Sequence, residues 1–358
     1  MGRTRHRILK NSEYADLRDL FAASRGKKGN ASMVKMGIVG PGRIVDRVMA
    51  DMGNAKEIEV FAVASRSLER AKAAAEKYSI PRFYGSYEEL AKDPEVELVY
   101  IATPHPLHPE QAKLMMRHGK HVLCEKPMTV NDREAEGMIA CARENGVFLM
   151  EAMWSRFMPA NVKAKELIDG GAIGTVRHLC GNFSYPGRYD ESDRVYALEM
   201  AGGALLDLGV YPLMEITFFL GWQPEKVTGY AVKAPNGTDM RFCGQMLYPS
   251  GATAQFFCGM DAGADQRMMV YGSEGYLEIE DFWHATRLVL HKWGGEDTVY
   301  QFPAENEGHH YEFDHAAQCI RQGRKESPSV SWEESLAVSR ISTELRKETG
   351  ILYPMDQF

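Results

Sequence analysis

From residue 36 to residue 150, short apolar runs alternate with amphipathic stretches. Met36–Val39 is a continuous apolar run that meets Gly40-Pro41-Gly42, and Val48, Met49 and Met52 follow at helical spacing. Ile58–Ala64 is a second buried strand, with a helix predicted over Leu68–Tyr78. Pro81–Tyr84 reads as a short extended piece, Tyr87–Lys92 as a helix and Val96–Ala102 as a third long apolar strand. A helix over Pro109–His118, a strand over His121–Cys124, a helix over Asp132–Glu144 stopped by Asn145-Gly146, and the run Val147–Met150 complete the series. Strand–helix alternation at this spacing predicts a parallel, doubly wound sheet.

The pattern changes at Glu151–Phe157. A helix is predicted over residues 160–169, stopped by Gly170-Gly171. Strand-like segments follow at Val176–Ser184, Lys226–Val232, Phe242–Tyr248, Thr253–Cys258, Met268–Gly272, Tyr276–Ile279 and Thr286–His291. Turns such as Pro249-Ser250-Gly251 separate them, which predicts a large, mostly antiparallel sheet. Asp207–Leu220 is a helical interruption, and helices over Tyr311–Arg321 and Ser331–Thr349 end the chain. The expected fold class is therefore α/β: an N-terminal doubly wound parallel sheet and a C-terminal α/β domain with an open sheet.

Residues 1–32 stand apart. Arg3, Arg5, Arg7 and Lys10 make a basic start, and Tyr14, Leu17, Leu20 and Phe21 suit one short amphipathic helix. The segment has no apolar core of a secretory signal, and Glu13, Asp16 and Asp19 count against a mitochondrial presequence. It reads as a flexible extension with Met33 opening the folded protein. An arm gripping a neighbouring subunit is the alternative.

The 358 residues exceed one typical core and suffice for two domains. A net charge of −7 argues against nucleic acid or an anionic membrane as the main partner. No run of about 18 apolar residues predicts a membrane span. The six cysteines are scattered without a Cys-x-x-Cys pair, the usage of reduced thiols in a cytoplasmic protein. His105 and His108, and the pair His309-His310, lack partners at zinc spacing, so no metal is expected.

The candidate chemistry sits at strand ends. Gly40 and Gly42, between a strand and a helix, would let backbone N–H groups approach a pyrophosphate, with Arg43 and Ile44 opening the helix. Val45 stands where the usual pattern has its third glycine. The second strand ends in Ser65-Arg66, with Arg70 one helical step on, where an NAD site usually carries a carboxylate for the ribose hydroxyls. Arg and Ser would bind a 2′-phosphate that a carboxylate repels, so NADP(H) is favoured over NAD(H). The next strands end at Thr103–His108 and at Glu125-Lys126-Pro127, so these residues line one sheet edge.

Together these pieces resemble the Gfo/Idh/MocA oxidoreductases, on Gly40-x-Gly42-x-Ile44, Glu125-Lys126-Pro127 and Gly202-Gly203-Ala204-Leu205-Leu206-Asp207-x-Gly209-x-Tyr211. Met150–Phe157, Lys325–Pro328 and Glu333–Leu336 look like the dimeric dihydrodiol dehydrogenase and NADP-dependent D-xylose dehydrogenase branch. The resemblance covers Met33 to about Pro354. It implies an NAD(P)-binding Rossmann domain over residues 33–153, and a substrate-binding and oligomerisation domain over 154–358. It also implies a homodimer through the C-terminal sheet, and hydride transfer between nicotinamide and a secondary alcohol or hemiacetal of a sugar, glycoside or cyclic trans-diol. Lys126 and Tyr211 fall on the family's catalytic Lys and Tyr/His positions, and Trp154 and Phe183 on positions that floor the nicotinamide and substrate pocket. A cofactor-sensing regulator on the same fold and a reductase of a non-sugar substrate are the competing functions.

In that chemistry the hydroxyl proton needs an acceptor. A free phenol titrates near 10, and an ammonium beside it lowers that value, so Lys126 would activate Tyr211 while polarising the substrate oxygen. Asp207, four residues before Tyr211, shares its helix face and would orient the substrate hydroxyl or Lys126. His105 is a candidate contact to substrate or cofactor, with His108 beside it at the cofactor edge. Arg156 would bind cofactor or pair with Glu151. Glu125 would fix the Lys126 backbone or a ribose hydroxyl, and the Lys126–Pro127 bond is expected to be cis.

Overall fold

The computed structural model describes residues 6–9, 32–303 and 307–356. The amphipathic helix expected within residues 14–21 lies outside the described residues. A strand, β1 (His6–Leu9), was not expected from the sequence. The chain forms two compact units, one of residues 25–154 and 306–339, the other of residues 1–24, 155–305 and 340–358.

In the first unit, six parallel strands lie in the order β4-β3-β2-β5-β6-β7. They are β2 (Val34–Val39), β3 (Ile58–Ala64), β4 (Arg82–Tyr84), β5 (Leu98–Ile101), β6 (His121–Glu125) and β7 (Leu149–Ala152). Helices α1 (Arg43–Asp51), α2 (Leu68–Tyr78), α3 (Tyr87–Lys92), α4 (His108–Arg117) and α5 (Asp132–Asn145) connect them. The continuous apolar runs are explained by burial: Val39, Ala62, Ala64, Val99, Ile101, Val122 and Cys124 are fully inaccessible. Side-chain caps start the helices. Ser67 accepts from the Arg70 amide, Ser86 from Glu89 and Asn131 from Glu134, and left-handed Gly146 closes α5. Strand β2 pairs with β3 on one side and β5 on the other, so the winding reverses at its carboxyl end, where such sheets bind ligands.

The same unit receives the chain a second time. Helix α8 (His310–Arg321) sets Phe313 edge-on to Tyr100 at 5.1 Å. The Leu149 amide donates to Lys325 O at 3.0 Å, and the Trp332 indole donates to Leu149 O at 2.9 Å. The Asp51 carboxylate accepts from the amides of Glu307 and His309. A single division near residue 153, as read from sequence order, does not anticipate this return. Its contacts are made by residues distant in sequence, which leave no local period.

The second unit holds a nine-stranded sheet in the order β1-β15-β14-β13-β12-β8-β11-β10-β9. Its strands are β8 (Val176–Ser184), β9 (Lys226–Lys233), β10 (Asp239–Leu247), β11 (Thr253–Gly259), β12 (Met268–Gly272), β13 (Gly275–Glu280), β14 (Arg287–Lys292) and β15 (Asp297–Gln301). Pairing is antiparallel except for β1 with β15 and β8 with β11. Only β1 and β15 lack a counterpart in the sequence reading, because β15 is short and polar at both ends. Helix α6 (Pro159–Asp169) packs on β13 and β14, and α7 (Val210–Leu220) on β8 and β11.

The helix expected over Asp207–Leu220 begins two residues early and wide: Leu205–Gly209 is π-helical before α7. Such widened turns recur at functional sites. Pro212 follows directly, and its ring and missing N–H are tolerated in the first turn of the regular helix. Leu198–Leu220 has enough length and hydropathy to cross a membrane by composition, and it is mostly buried inside its unit. That burial makes it a core segment.

Candidate functional site

The glycine loop forms at the winding switch. Gly40 has φ +85°, and a Cβ there would overlap Thr103 Cγ2 at the end of β5. Only glycine therefore lets the two strand ends come together. Gly42 is exposed and N-caps α1, and having no side chain it supplies no cap hydrogen bond. Arg43 is exposed and Ile44 half-buried beside them. Uncapped amides and a bare backbone fit a pyrophosphate. Val45, in place of the third glycine, is fully buried.

At the end of β3, Ser65 is buried and Arg66 and Arg70 are exposed. Ser67, half-buried between them, accepts from the Arg70 amide at 3.3 Å and donates to Glu69 Oε2 at 2.7 Å. The half-buried Tyr87 phenol, which burial pushes above its usual range, is pulled back by the positive field of Arg66 and Arg70. Two guanidinium groups, two hydroxyls and a phenol gather beyond β3, with the Glu69 carboxylate on Ser67, and the strand end itself carries Ser65-Arg66 where a carboxylate would repel a 2′-phosphate. Tyr87 was not foreseen, since nothing in its α3 pattern distinguishes it.

Lys126 is half-buried at the end of β6, and its bond to Pro127 is cis. Its amide donates to Glu125 Oε2 at 3.2 Å, while Tyr100 OH donates to Glu125 Oε1. Burial raises the Glu125 pKa, opposed by the Tyr100 bond and by Lys126. The fully buried His108 ring lies between two backbone carbonyls, Thr103 O at 2.7 Å and Pro127 O at 3.2 Å. It thus ties the β5 loop to the Lys126-Pro127 turn, a positioning role. The buried His105 ring is 5.9 Å from that of His108. Trp154 is buried in this unit against His309, ring centroids 4.4 Å apart. His309 arrives with the returning segment and so was invisible to a local reading.

Arg156 belongs to the second unit. It is 1% exposed, donates to Met214 O at 2.5 Å and lies over the Phe218 ring at 4.1 Å. A guanidinium sealed in this way holds α7 in place. Nearby, Ser155 Oγ donates to Glu215 Oε1 at 3.0 Å.

In the same unit Phe183 on β8 meets Tyr211 on α7 edge-to-face, centroids 5.1 Å apart. Trp283 stacks on Phe183 at 5.3 Å, and its indole donates to Gln266 Oε1 at 2.7 Å. Tyr211 is buried, and Asp207 half-buried one turn before it. Trp283 extends the aromatic wall and was also missed, because it lies in a single 3₁₀ turn, Phe282–His284, too short to show a period. Among the described residues, no group of three or more His, Cys, Asp or Glu side chains is placed to hold a metal ion.

A dinucleotide cradle on a parallel sheet, followed by a second unit built on an open sheet, defines a dinucleotide-dependent oxidoreductase. The chain belongs to the Gfo/Idh/MocA family. The family's oxidoreductase domain with NAD-binding Rossmann fold matches residues 34–153, and its C-terminal domain matches residues 161–278. The chain is similar to the trans-1,2-dihydrobenzene-1,2-diol dehydrogenase of Mus musculus, at 38% identity over 90% of this chain and 99% of the relative. Among solved structures it is similar to the 3-ketoreductase KijD10 from Actinomadura kijaniata in complex with NADP and TDP-benzene. That match has a TM-score of 0.80 and 28% identity over 89% of this chain and 98% of the other. An aldose-aldose oxidoreductase from Caulobacter crescentus gives a TM-score of 0.81 at 27% identity, with the same coverage of both chains.

Proposed function

We propose that the protein is an NADP(H)-dependent oxidoreductase acting on a secondary alcohol or hemiacetal of a sugar, glycoside or cyclic trans-diol, or on the corresponding carbonyl. The observation that carries this reading is the Ser65-Arg66 strand end, cationic and free of carboxylate, in a chain 38% identical to a dihydrodiol dehydrogenase along nearly its whole length.

The bound cofactor supplies the hydride acceptor for oxidation and the donor for reduction. The amides around Gly40 and Gly42 hold its pyrophosphate, and Ser65, Arg66, Ser67, Arg70 and Tyr87 hold the 2′-phosphate. The Lys126 ammonium binds the substrate oxygen and offsets negative charge that builds there as the proton leaves. Tyr211 takes that proton in oxidation and returns it in reduction. Asp207 orients the hydroxyl. Phe183 and Trp283 offer an aromatic face to the ring that carries it.

The outer face of the large sheet supports a homodimer. Tyr230 is 82% exposed, Val232 and Trp293 are also exposed, and a row of rings runs His178, Tyr271, Tyr276, His291. A second copy of this face would cover them. All six cysteines are unpaired, which supports a reducing, cytoplasmic setting.

Incubation with NADP+ and a panel of cyclic trans-diols, pentoses and hexoses, read by absorbance of the reduced cofactor, tests the reading. Turnover on at least one member, with NADP+ preferred to NAD+, is expected. Tight cofactor binding without turnover on any of them would instead support a cofactor-sensing regulator.

A further inference from the structure

The helix that carries Asp207 and Tyr211 starts on a clasp made by the C-terminal tail and the first residue of β10. Tyr353 is buried and its hydroxyl donates to Gly202 O at 2.7 Å. Asp239 is fully buried, and its Oδ2 accepts from the Leu205 amide at 2.6 Å, the first residue of the π turn. Gly203 lies between them at φ +133°, and a Cβ there would overlap Asp239 Oδ1 and approach the Tyr353 hydroxyl to 3.0 Å. Gly203 is thus required by the close approach of these two side chains, and Gly202 by the Val195 backbone, whose carbonyl oxygen a Cβ there would overlap. Burial pushes Asp239 up to about 6, with the Leu205 amide pulling it down, so it is ionised at neutral pH and meets a helix N-terminus as a charge.

The tail itself is held in place. Arg346, fully buried, pairs with Asp356, whose Oδ2 also accepts from the Tyr353 amide at 2.9 Å, and the Arg346 guanidinium lies 4.9 Å over the Tyr353 ring. Earlier in the same stretch, Glu348 accepts from the Gly229 amide at 3.0 Å and Gly350 O from Lys233 Nζ at 2.6 Å.

We propose that Tyr353 and Asp239 are positioning residues for Tyr211, fixing the start of its helix through Gly202 O and the Leu205 amide. The proposal rests on the reading of Tyr211 as the proton-transfer residue. Between clasp and phenol lies the π turn Leu205–Gly209, a break in the α-helical hydrogen-bond pattern of the kind found at functional sites. Its register is therefore set at the entrance, and a small displacement there is carried to the reacting group.

The test is a double-mutant cycle in full-length enzyme with NADP+ and the best substrate of the panel. Tyr353→Phe is expected to lower kcat about ten-fold, as a sub-ångström misplacement of a reacting group does. NADP+ affinity should stay unchanged. In the Tyr211→Phe background the same substitution should cost nothing further. A loss of folded enzyme would reduce both backgrounds by the same factor, so the cycle separates positioning from stability. Asp239→Asn, which keeps an acceptor for the Leu205 amide but removes the charge, should give the same coupling to Tyr211 and serves if Tyr353→Phe does not fold. Wild-type kcat in both clasp variants, or equal losses in both backgrounds, would overturn the proposal and leave Tyr211 in its role. A fully active Tyr211→Phe would remove the reading on which the proposal stands.

Discussion

Tyr211 stands edge-on to Phe183, with planes 86° apart. The phenol ring is thereby held by an apolar partner. Tyr211→Phe keeps this contact and removes only the proton carrier. Steady-state kinetics should show kcat reduced roughly 10²- to 10⁴-fold with NADP+ binding intact, the usual worth of a positioned acid–base group. Undiminished kcat would take Tyr211 out of the mechanism.

Arg66 stands exposed at the end of β3. Arg66→Asp exchanges a phosphate partner for a repelling charge. Loss of one charge-assisted bond is worth about 2 kcal/mol, roughly thirty-fold in Kd. Titration with both cofactors should show at least that weakening for NADP+ and little change for NAD+. Equal weakening of the two would assign the 2′-phosphate elsewhere.

Most of the fold was legible from the sequence, for a physical reason. Strands buried on both faces write continuous apolar runs, strands buried on one face alternate, and capped helices write polar starts, so Ile58–Ala64, Val176–Ser184 and Leu68–Tyr78 match the structure to the residue. The strand-end residues Gly40, Arg66, Thr103 and Lys126 were legible as one edge, because parallel topology puts all carboxyl ends together. What the sequence hid was long-range. His309 reaches Trp154, and Tyr353 reaches Gly202, across distances that no local period records. The contacts of Arg156 with Met214 O and the Phe218 ring were hidden for the same reason, since their partners lie some sixty residues on.

Gly203→Ala would place a side chain at φ +133° against Asp239 and Tyr353. Strain of this kind costs about 1–3 kcal/mol. Thermal or urea unfolding should show a loss of that order, and an unchanged midpoint would mean that the clasp yields readily.

His315 is buried, with Nε2 2.8 Å from Ser327 Oγ and 3.4 Å from Cys319 Sγ. Burial lowers its pKa from 6.5 to about 4. The folded state therefore binds this proton less readily than the unfolded chain, and the stability held above pH 6.5 is lost as pH falls towards 4. Between pH 6.5 and 5 that amounts to about 2 kcal/mol. Asp239 and Asp314, raised from 3.8 to about 6, act in the opposite sense, becoming costly to ionise as pH rises through that range. His315→Gln isolates the histidine: its urea midpoint should fall less between pH 7 and pH 5 than that of the parent. Identical pH dependence would show that His315 does not titrate in the unfolding reaction.

Transfer of hydrogen from a carbinol carbon to a nicotinamide cofactor is read out by deuterium labelling. A cyclic trans-diol or sugar that turns over in the panel is deuterated at the oxidised carbon and incubated with the enzyme and NADP+, and the reduced cofactor is analysed by mass spectrometry. One deuterium per molecule of reduced cofactor is expected, with none acquired from deuterated water when unlabelled substrate is used. Reduced cofactor without the label, or no reduced cofactor from any substrate despite saturable NADP+ binding, would contradict it.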